Sequence, residues 1–335
     1  MSRIIGLDLG TSNTRIYRKG RGIVLREKTA VAIDSKKNKV VSVGNDAGDY
    51  IGREIDNIKS FTPIKDGVVA EYDVTTAMLG VFLYKASGRG FFNRPDVVIS
   101  VTGSITEVEK LAVEKAALEA GAKGVAVVDS AVVCALGAGL PVEEARGNMI
   151  IDIGGGTTEV AVISLGGVVQ SSSVRTGGDE FDEAIAAFLK RKYNLIVGQA
   201  TAEDIKIKIG SVHPSVDKGE TEVGGRDSVT GLPLQIKISS EKLREAFDEQ
   251  LLHIVDCIKS TLEKLPPEIS SDIYDYGITL CGGTALLGGI CEYLSEKLGV
   301  EVKLADDPLD CCVSGMGKML EICPDLASFG TNGKN

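Results

Sequence analysis

One pattern of hydrophobic and polar positions occurs twice along the chain. Residues 4–19 read IIGLDLGTSNTRIYRK, and residues 148–163 read NMIIDIGGGTTEVAVI. Each segment contains an apolar strand, a turn of small residues and a second strand of alternating character, which is typical of a β-hairpin. The two segments align at Asp8 and Asp152, and each aspartate is followed two residues later by a glycine. The repeat predicts two similar α/β halves that face each other across a cleft.

Further strands and helices follow each copy of the hairpin. The run VVISV at residues 97–101 predicts a strand, residues 106–120 predict a helix, and residues 125–129 predict another strand. In the second half, residues 201–209 predict a helix, and the apolar run at residues 276–280 predicts a strand before a glycine pair. This alternation supports the α/β class.

Composition narrows the classes of function. The 335 residues are enough for two domains, and 43% hydrophobic with 25% charged residues is typical of a soluble globular protein. The net charge of -10 gives no support to nucleic-acid binding, which needs a basic surface. The sequence has no apolar run long enough to span a bilayer, and residues 1–3 lead into the first strand without a signal peptide. The expected location is the cytoplasm.

The cysteines agree with a reducing compartment. Their number, seven, is odd, they are scattered, and no Cys-x-x-Cys pair occurs. The only histidines are His213 and His253, so no zinc-type spacing of ligands is expected. The adjacent Cys311 and Cys312 could take part in redox chemistry, but buried thiols that act as small hydrophobic residues are the expected state.

The two turns have the chemistry of a phosphate site. Small residues let backbone N–H groups approach phosphate oxygens, and consecutive N–H groups form a nest for an anion. Asp8 and Asp152 stand at the strand ends, where they could hold Mg²⁺ through water and orient an attacking water. One turn alone would indicate only a tight hairpin, whereas the pair predicts a clamp on a polyphosphate. The clamp residues are Thr11, Ser12 and Asn13 from the first turn and Gly154, Gly155, Gly156 and Thr157 from the second.

A third glycine segment follows the apolar run at residues 276–280. Gly282, Gly283 and Thr284 lie between a predicted strand and a helical pattern, with Ala285 and Leu286 directly after them. A glycine pair at such a junction can lie flat against a purine or a ribose, although these turns are often rich in glycine for other reasons. The segment gains weight as the third element beside the two phosphate turns.

These segments resemble the two phosphate motifs and the adenosine motif of the superfamily of actin, sugar kinases and DnaK-type chaperones. The similarity to the MreB family of bacterial actins is closer and covers essentially the whole chain. It includes, in order, GLDLGTSNT, TPIKDGVVAEYDVTTAML, GNMIIDIGGGTTEVAVISLGGVV, GGDEFDEAI, ATAEDIKIKIGSV, LEKLPPEISSDIYDYGITLCGGTALL and ADDPLDCCVSGMGKMLE. The resemblance implies an actin-like ATPase fold, in which two duplicated α/β domains with ribonuclease H-like cores surround a nucleotide cleft.

The resemblance also implies four subdomains and a cleft that takes ATP and Mg²⁺. The subdomains would be IA (1–32, 66–146 and 310–335), IB (33–65), IIA (147–180 and 247–309) and IIB (181–246). The family's adenosine contacts from IIB would fall at Glu203, Asp204, Ile205 and Lys206. Without the resemblance, Glu203 and Lys206 would be interpreted as solvent-exposed helix charges.

Two positions depart from the family pattern. The family typically reads Glu-Glu-Pro-Met-Ala-Ala-Ala where this chain reads DSAVVCA at residues 129–135, and the second glutamate positions the hydrolytic water. Ser130 occupies that place here, and Asp129 is a possible substitute that we expect to point away from the phosphate. Thr284 replaces the third glycine of the adenosine motif. The sequence therefore predicts ATP binding with slow hydrolysis.

A membrane contact is predicted from the segment SGRGFFNRP at residues 87–95. Phe91 and Phe92 lie between arginines, and aromatic side chains beside cations suit an anionic lipid interface. In the family, a hydrophobic loop at this place inserts into the membrane. The alternative is that one of these rings folds back onto its own subdomain.

The resemblance thus implies a filament-forming protein at the inner face of the cytoplasmic membrane. Its expected partners are other copies of itself and the proteins of cell-wall elongation, with a role in scaffolding wall synthesis and maintaining rod shape. One alternative is a soluble actin-fold ATPase of the sugar kinase or DnaK class. Another is a filament subunit that hydrolyses ATP poorly and works beside a more active paralogue.

Overall fold

The first half of the chain alternates strands with helices. The computed structural model describes residues 4–53, 57–87, 94–323 and 326–329. The elements of this half are β1 (Ile4–Leu9), β2 (Asn13–Arg18), β3 (Gly22–Lys28), β4 (Val31–Asp34), β5 (Lys39–Val43), α1 (Asn45–Gly48), β6 (Ile58–Phe61), β7 (Ile64–Lys65), β8 (Val68–Val69), α2 (Tyr72–Ser87), β9 (Asp96–Val101), α3 (Glu107–Glu119), β10 (Gly124–Asp129) and α4 (Ser130–Gly137).

The second half repeats the hairpin that opens the first. Its elements are β11 (Asn148–Ile153), β12 (Thr158–Ser164), β13 (Gly167–Val174), α5 (Gly178–Tyr193), β14 (Leu195–Ile196), α6 (Gln199–Ile209), β15 (Glu220–Asp227), β16 (Pro233–Ser239), α7 (Ser240–Arg244), α8 (Asp248–Leu262), α9 (Pro267–Tyr276), β17 (Ile278–Cys281), α10 (Ile290–Leu298) and β18 (Val302–Leu304). Short 3₁₀ helices occupy Thr284–Leu286 and Leu326–Phe329, and α11 (Cys311–Ile322) returns to pack on β1 and α4.

Two five-stranded sheets with equivalent strand orders form the centres of the halves. One sheet has the order β3-β2-β1-β9-β10, and the other has the order β13-β12-β11-β17-β18. In both, the first three strands are antiparallel and the remaining pairs are parallel. The registers also correspond, because Asp8 lies opposite Arg15 and Asp152 lies opposite Glu159. The predicted duplication of the α/β half is confirmed.

Each half has its own buried cluster, and a third cluster joins them. This third cluster includes Ile4 and Val98 of the first sheet, Ile150 of the second, and apolar residues of α4 and α11. The two helices approach closely, since a Cβ atom on Gly315 of α11 would collide with the carbonyl oxygen of Val133 in α4. Burial of these apolar surfaces holds the two sheets against each other.

The predicted elements are present with small shifts at their ends. The strands and helix expected at 97–101, 106–120 and 125–129 are β9, α3 and β10, and the helix expected at 201–209 is α6. The strand expected at 276–280 begins later, because Tyr276 still belongs to α9 and Gly277, with φ of 81°, separates it from β17.

Two small sheets stand apart from the central ones, with the orders β5-β4-β6 and β14-β15-β16. The first sheet lies within residues 31–61, and the second lies within residues 195–239. The four-subdomain boundaries given above stay predictions. Among the described residues, no helix is both long enough and apolar enough to cross a membrane.

Candidate nucleotide site

The two duplicated turns face one cleft between the halves. In the first turn the N–H group of Gly10 donates to the carbonyl oxygen of Asn13 at 3.1 Å, and in the second the N–H group of Gly154 donates to that of Thr157 at 2.8 Å. The turns therefore have the same closure as well as the same sequence position. The cleft that they face has a volume of about 460 Å³, which is in the range of small-molecule sites.

Most of the predicted site residues line this cleft. They are Asp8, Thr11, Ser12, Asn13, Asp152, Gly154, Gly155, Glu203, Lys206, Gly282, Gly283, Thr284 and Leu286. Thr157 and Ser130 line a smaller adjoining cavity of about 100 Å³, together with Asp8, Thr11 and Asp152. Gly156 lies against Thr11. Three predicted contacts lie elsewhere, because Ile205 and Ala285 belong to the core of the second half and Asp204 is exposed. Ile207, which the sequence analysis did not select, also lines the cleft.

The third glycine segment is tied to the second phosphate turn. Gly282 has φ of +91°, and a Cβ atom on it would collide with the carboxylate of Asp152 and the carbonyl oxygen of Ile153. Glycine is therefore required there for two independent reasons. The hydroxyl group of Thr284 is buried and donates to the carbonyl oxygen of Gly154 at 2.7 Å. Threonine at this place forms a link that a third glycine could not make.

Lys206 is held in place rather than solvated. Its ammonium group pairs with the carboxylate of Asp182 at 2.9 Å and donates to the carbonyl oxygen of Gly178 at 2.6 Å, and its side chain is 13% exposed. Burial raises the pKa of Asp182 to about 7, and Lys206 opposes that shift. Lys206 is therefore not a solvent-exposed helix charge, which is how it would be interpreted without the family resemblance. Only the resemblance assigned it to the cleft.

The two strand-end aspartates have little compensating positive charge. Burial raises the pKa of Asp8 to about 6, although the guanidinium group of Arg15 lies 3.8 Å away. Burial also raises the pKa of Asp152, whose carboxylate accepts a hydrogen bond from the thiol of Cys134 at 3.5 Å. Both carboxylates are half-buried. Carboxylates that gain so little stabilisation fit a site for a cation, and oxygen ligands of this kind suit Mg²⁺.

Ser130 and Asp129 meet different partners at the end of β10. The carboxylate of Asp129 accepts a hydrogen bond from the N–H group of Ala131 at 2.9 Å and caps α4. The hydroxyl group of Ser130 donates to the carboxylate of Glu159 on β12, and the same carboxylate accepts from the N–H group of Gly103 at 2.7 Å. Glu159 thus joins the second half to two segments of the first.

Glu159 is a further acidic residue beside the site, and the sequence motifs did not single it out. It is buried, it lines the smaller cavity, and burial raises its pKa to about 7, a shift that the hydrogen bonds from Ser130 and Gly103 oppose. Two signals were available in the sequence. Glu159 is the one charge in the strand TEVAVIS, and in the duplicated register it stands opposite Asp152 as Arg15 stands opposite Asp8.

Two further expectations concern the loop and the cysteines. Phe91 and Phe92 lie outside the described residues. Arg94, which follows them, donates to the carbonyl oxygens of Gly121 at 3.2 Å and Ala122 at 2.8 Å.

The thiols at 134, 281, 311 and 312 are buried as expected, whereas those at 257, 291 and 323 are half-buried.

The duplicated sheets and the cleft between them define an actin-like fold, which comparison with solved structures bears out. The MreB5 protein of Spiroplasma citri bound to ADP superposes with a TM-score of 0.91 and 36% identity, covering 96% of this chain and 97% of that one. The same protein bound to AMPPNP matches equally well. The double helical filament of MamK has the same fold, with a TM-score of 0.82 and 22% identity over 97% of this chain and 100% of that one.

Sequence comparison gives the family. The profile of the MreB/Mbl protein family matches residues 2–328. The cell shape-determining protein Mbl of Bacillus cereus is 47% identical over 96% of both chains, and the cell shape-determining protein MreB of Escherichia coli is 46% identical over 96% of this chain and 94% of its own. The chain belongs to the MreB/Mbl family of actin-like, cell shape-determining proteins.

Proposed function

We propose that this protein binds ATP with Mg²⁺ in the cleft and assembles into filaments of its own kind that scaffold cell-wall synthesis. The observation that carries the proposal is the pair of equivalent turns, closed by the same hydrogen bond, which face one cleft from the two halves. The MreB5 structures with ADP and AMPPNP support the choice of nucleotide. Membership of the family favours this function over a sugar kinase or a DnaK-type ATPase.

Different residues of the cleft would bind the phosphates, the adenosine and the Mg²⁺ ion. The N–H groups of the turns at residues 10–13 and 154–157 would bind the phosphates, because small side chains leave these groups accessible. The four-subdomain boundaries of the sequence analysis place Glu203 and Lys206 on IIB, and we assign them with Gly282, Gly283 and Thr284 to the adenosine end. Asp8 and Asp152 would hold Mg²⁺ through water, and the cation would neutralise phosphate charge.

Hydrolysis is proposed to be slow. The family's water-positioning glutamate is Ser130 here, and a serine hydroxyl cannot accept a proton from water at neutral pH. Asp129 is occupied with the cap of α4. Ser130 donates its hydrogen bond to Glu159, whose pKa of about 7 allows it to accept a proton. We therefore assign the residual turnover to Glu159 and expect filaments that persist in the ATP state, as suits a subunit that works beside a more active paralogue.

The protein is proposed to act at the inner face of the cytoplasmic membrane. Phe91 and Phe92 would enter the lipid interface, and the cell-wall elongation proteins would be further partners of the scaffold. The testing experiment is sedimentation of the pure protein with anionic vesicles, with and without ATP and Mg²⁺, alongside phosphate release. Nucleotide-dependent pelleting with little phosphate release supports the proposal. Equal pelleting with and without ATP, together with no ATP binding in calorimetry, would contradict it.

Asp152→Ala should lose the Mg²⁺-dependent part of assembly.

A further inference from the structure

Two thiols and a carboxylate meet on the floor of the cleft, where the two halves join. The sulfur atoms of Cys134 and Cys281 and a carboxylate oxygen of Asp152 all lie within 4.8 Å of one another. Cys134 belongs to α4 of the first half, whereas Asp152 and Cys281 lie opposite each other near the ends of the adjacent strands β11 and β17 of the second. Across the part of the chain that the structure describes, this is the one group of three such side chains.

The neighbourhood of this group is rich in sulfur. Cys312 interacts with Cys134, and Cys311 interacts with Cys281, so that four thiols lie in succession beside Asp152. The outer two have other acceptors for their S–H groups, at 3.3 and 3.2 Å. The thiol of Cys134 instead donates to Asp152. All five residues line the cleft. Cys281 is fully buried and Cys134 is 1% exposed, whereas Asp152 is half-buried, so an ion would enter the group from the side of Asp152.

We propose that Cys134, Asp152 and Cys281 form a binding site for a thiophilic divalent cation of the zinc class. Zinc binds thiolate and carboxylate ligands tetrahedrally, and Zn–S bonds of about 2.3 Å place the ligand atoms roughly 3.7 Å apart. The observed group therefore needs only a small contraction. On binding, each thiol exchanges its S–H bond for a metal–sulfur bond and releases its proton to solvent. Three protein ligands leave one coordination position open towards the cleft.

Sulfur ligands separate this site from the Mg²⁺ site, although both use Asp152. Thiolates select zinc-like cations, whereas Mg²⁺ prefers oxygen and retains its waters. The bound cation would join α4 to the ends of β11 and β17 and so restrain the movement of the halves. One consequence rests on the proposed function: a zinc-class cation that takes Asp152 should inhibit Mg²⁺-dependent ATP turnover.

The test uses Cd²⁺ as a spectroscopic probe on the whole, nucleotide-free, reduced protein. Native protein should bind one equivalent and show the ultraviolet charge-transfer absorption of a cadmium–thiolate bond. Cys134→Ala and Cys281→Ala should each weaken binding by more than the roughly 10–100-fold that loss of a supporting hydrogen-bond partner costs. Asp152→Asn should weaken binding but keep the absorption band. Cys257→Ala, which removes a thiol outside the group, is the matched control and should bind like the native protein.

Binding of equal affinity and equal absorption in Cys134→Ala and Cys281→Ala would overturn the proposal, because the bound thiols would then lie elsewhere. Thermal unfolding with and without Zn²⁺ gives a second readout: the native protein should be stabilised and the Cys281→Ala variant should not. If either alanine variant fails to fold, the corresponding serine variant, which keeps the volume but binds the ion poorly, replaces it. These readouts need no nucleotide, so a failure of the ATP proposal would leave them unaffected.

Discussion

The hydroxyl group of Ser130 donates a hydrogen bond to the carboxylate of Glu159, and this bond crosses from the first half to the second. Ser130 stands where the family has its glutamate, so the hydrogen bond places the carboxylate of Glu159 directly beside that position. Asp129 lies close enough to add to the rise in the pKa of Glu159, but its own carboxylate accepts a hydrogen bond from the N–H group of Ala131. The two acidic residues near the departure from the family pattern therefore have distinct structural roles.

The first prediction follows from this difference. Ser130→Glu should raise ATP turnover, since a missing water-positioning group typically costs about 10²–10⁴-fold, and it should shorten filament lifetime. Because two adjacent carboxylates repel and share a proton, the gain should be larger in Ser130→Glu combined with Glu159→Gln. Asp129→Ala should change turnover little, although loss of the cap costs about 1 kcal/mol of stability. Phosphate release measures ATP turnover, and light scattering measures filament lifetime. If Asp129→Ala abolished turnover in the natural protein, Asp129 would be the working carboxylate and the slow-ATPase proposal would fail.

The second prediction concerns the pH dependence of stability. The folded pKa of Glu159 is about 7, above its ordinary value of 4.5, so between these values the folded state holds more protons than the unfolded state. Stability then falls as pH rises through this window, and the whole penalty is present above it. Glu159→Gln should therefore stabilise the nucleotide-free protein by on the order of 1–3 kcal/mol near pH 8 and by less near pH 5.

Denaturant unfolding of the Glu159→Gln variant at both pH values checks this expectation. Glu263→Gln, at an exposed position at the end of α8, is the control and should show no such dependence. A gain that is the same at both pH values would show that Glu159 is not held as a raised, buried acid. Turnover of ATP in the same variant, measured across the pH range, separates its proposed role in hydrolysis from its role in stability.

The third prediction tests the phosphate clamp. Gly155→Val adds a side chain where a Cβ atom would already collide with the hydroxyl group of Ser12 across the cleft. Overpacking typically costs about 1–3 kcal/mol, so ATP affinity should fall by roughly 5–150-fold in calorimetry. Gly224→Val is the matched control, because a Cβ atom on Gly224 meets no atom within 4 Å. Unchanged affinity in a folded Gly155→Val protein would mean that the phosphates bind elsewhere.

The fourth prediction concerns lipid. Phe91→Ser with Phe92→Ser removes two aromatic side chains whose burial is worth about 1.5–3 kcal/mol each, so most of the protein should leave anionic vesicles in sedimentation. ATP affinity and folding should remain. Val229→Ser with Leu232→Ser removes exposed apolar side chains between β15 and β16 and should leave vesicle binding unchanged. Equal pelleting of the phenylalanine variant and the native protein would exclude this loop as the anchor.

The sequence predicted the fold well because its signals are local and repeated. A hairpin that occurs twice, with Asp8 and Asp152 in register, indicates both the duplication and the cleft. Element ends were less accurate where a single residue decides them, as Gly277 does before β17. The chain's order of apolar and polar positions contains this information directly.

The site was predicted less completely, because some of its contacts join residues that are distant in sequence. Nothing near Glu159 indicates that it receives a hydrogen bond from Ser130, and nothing near Cys134 indicates Cys281 as a neighbour. Spacing along the chain gave no sign of zinc ligands, whereas the fold brings the proposed ligands together from α4, β11 and β17. Only the packing of the halves defines such groups.

Thr284 gives the cleft a mechanical property. Its hydroxyl group fastens the turn assigned to adenosine to the turn assigned to phosphate through the carbonyl oxygen of Gly154. The segments that would contact the two ends of the nucleotide are therefore linked to each other and would move together. If loss of the terminal phosphate let the second turn shift, this hydrogen bond would carry the shift to the segment assigned to the base, so that one end of the nucleotide would respond to the state of the other.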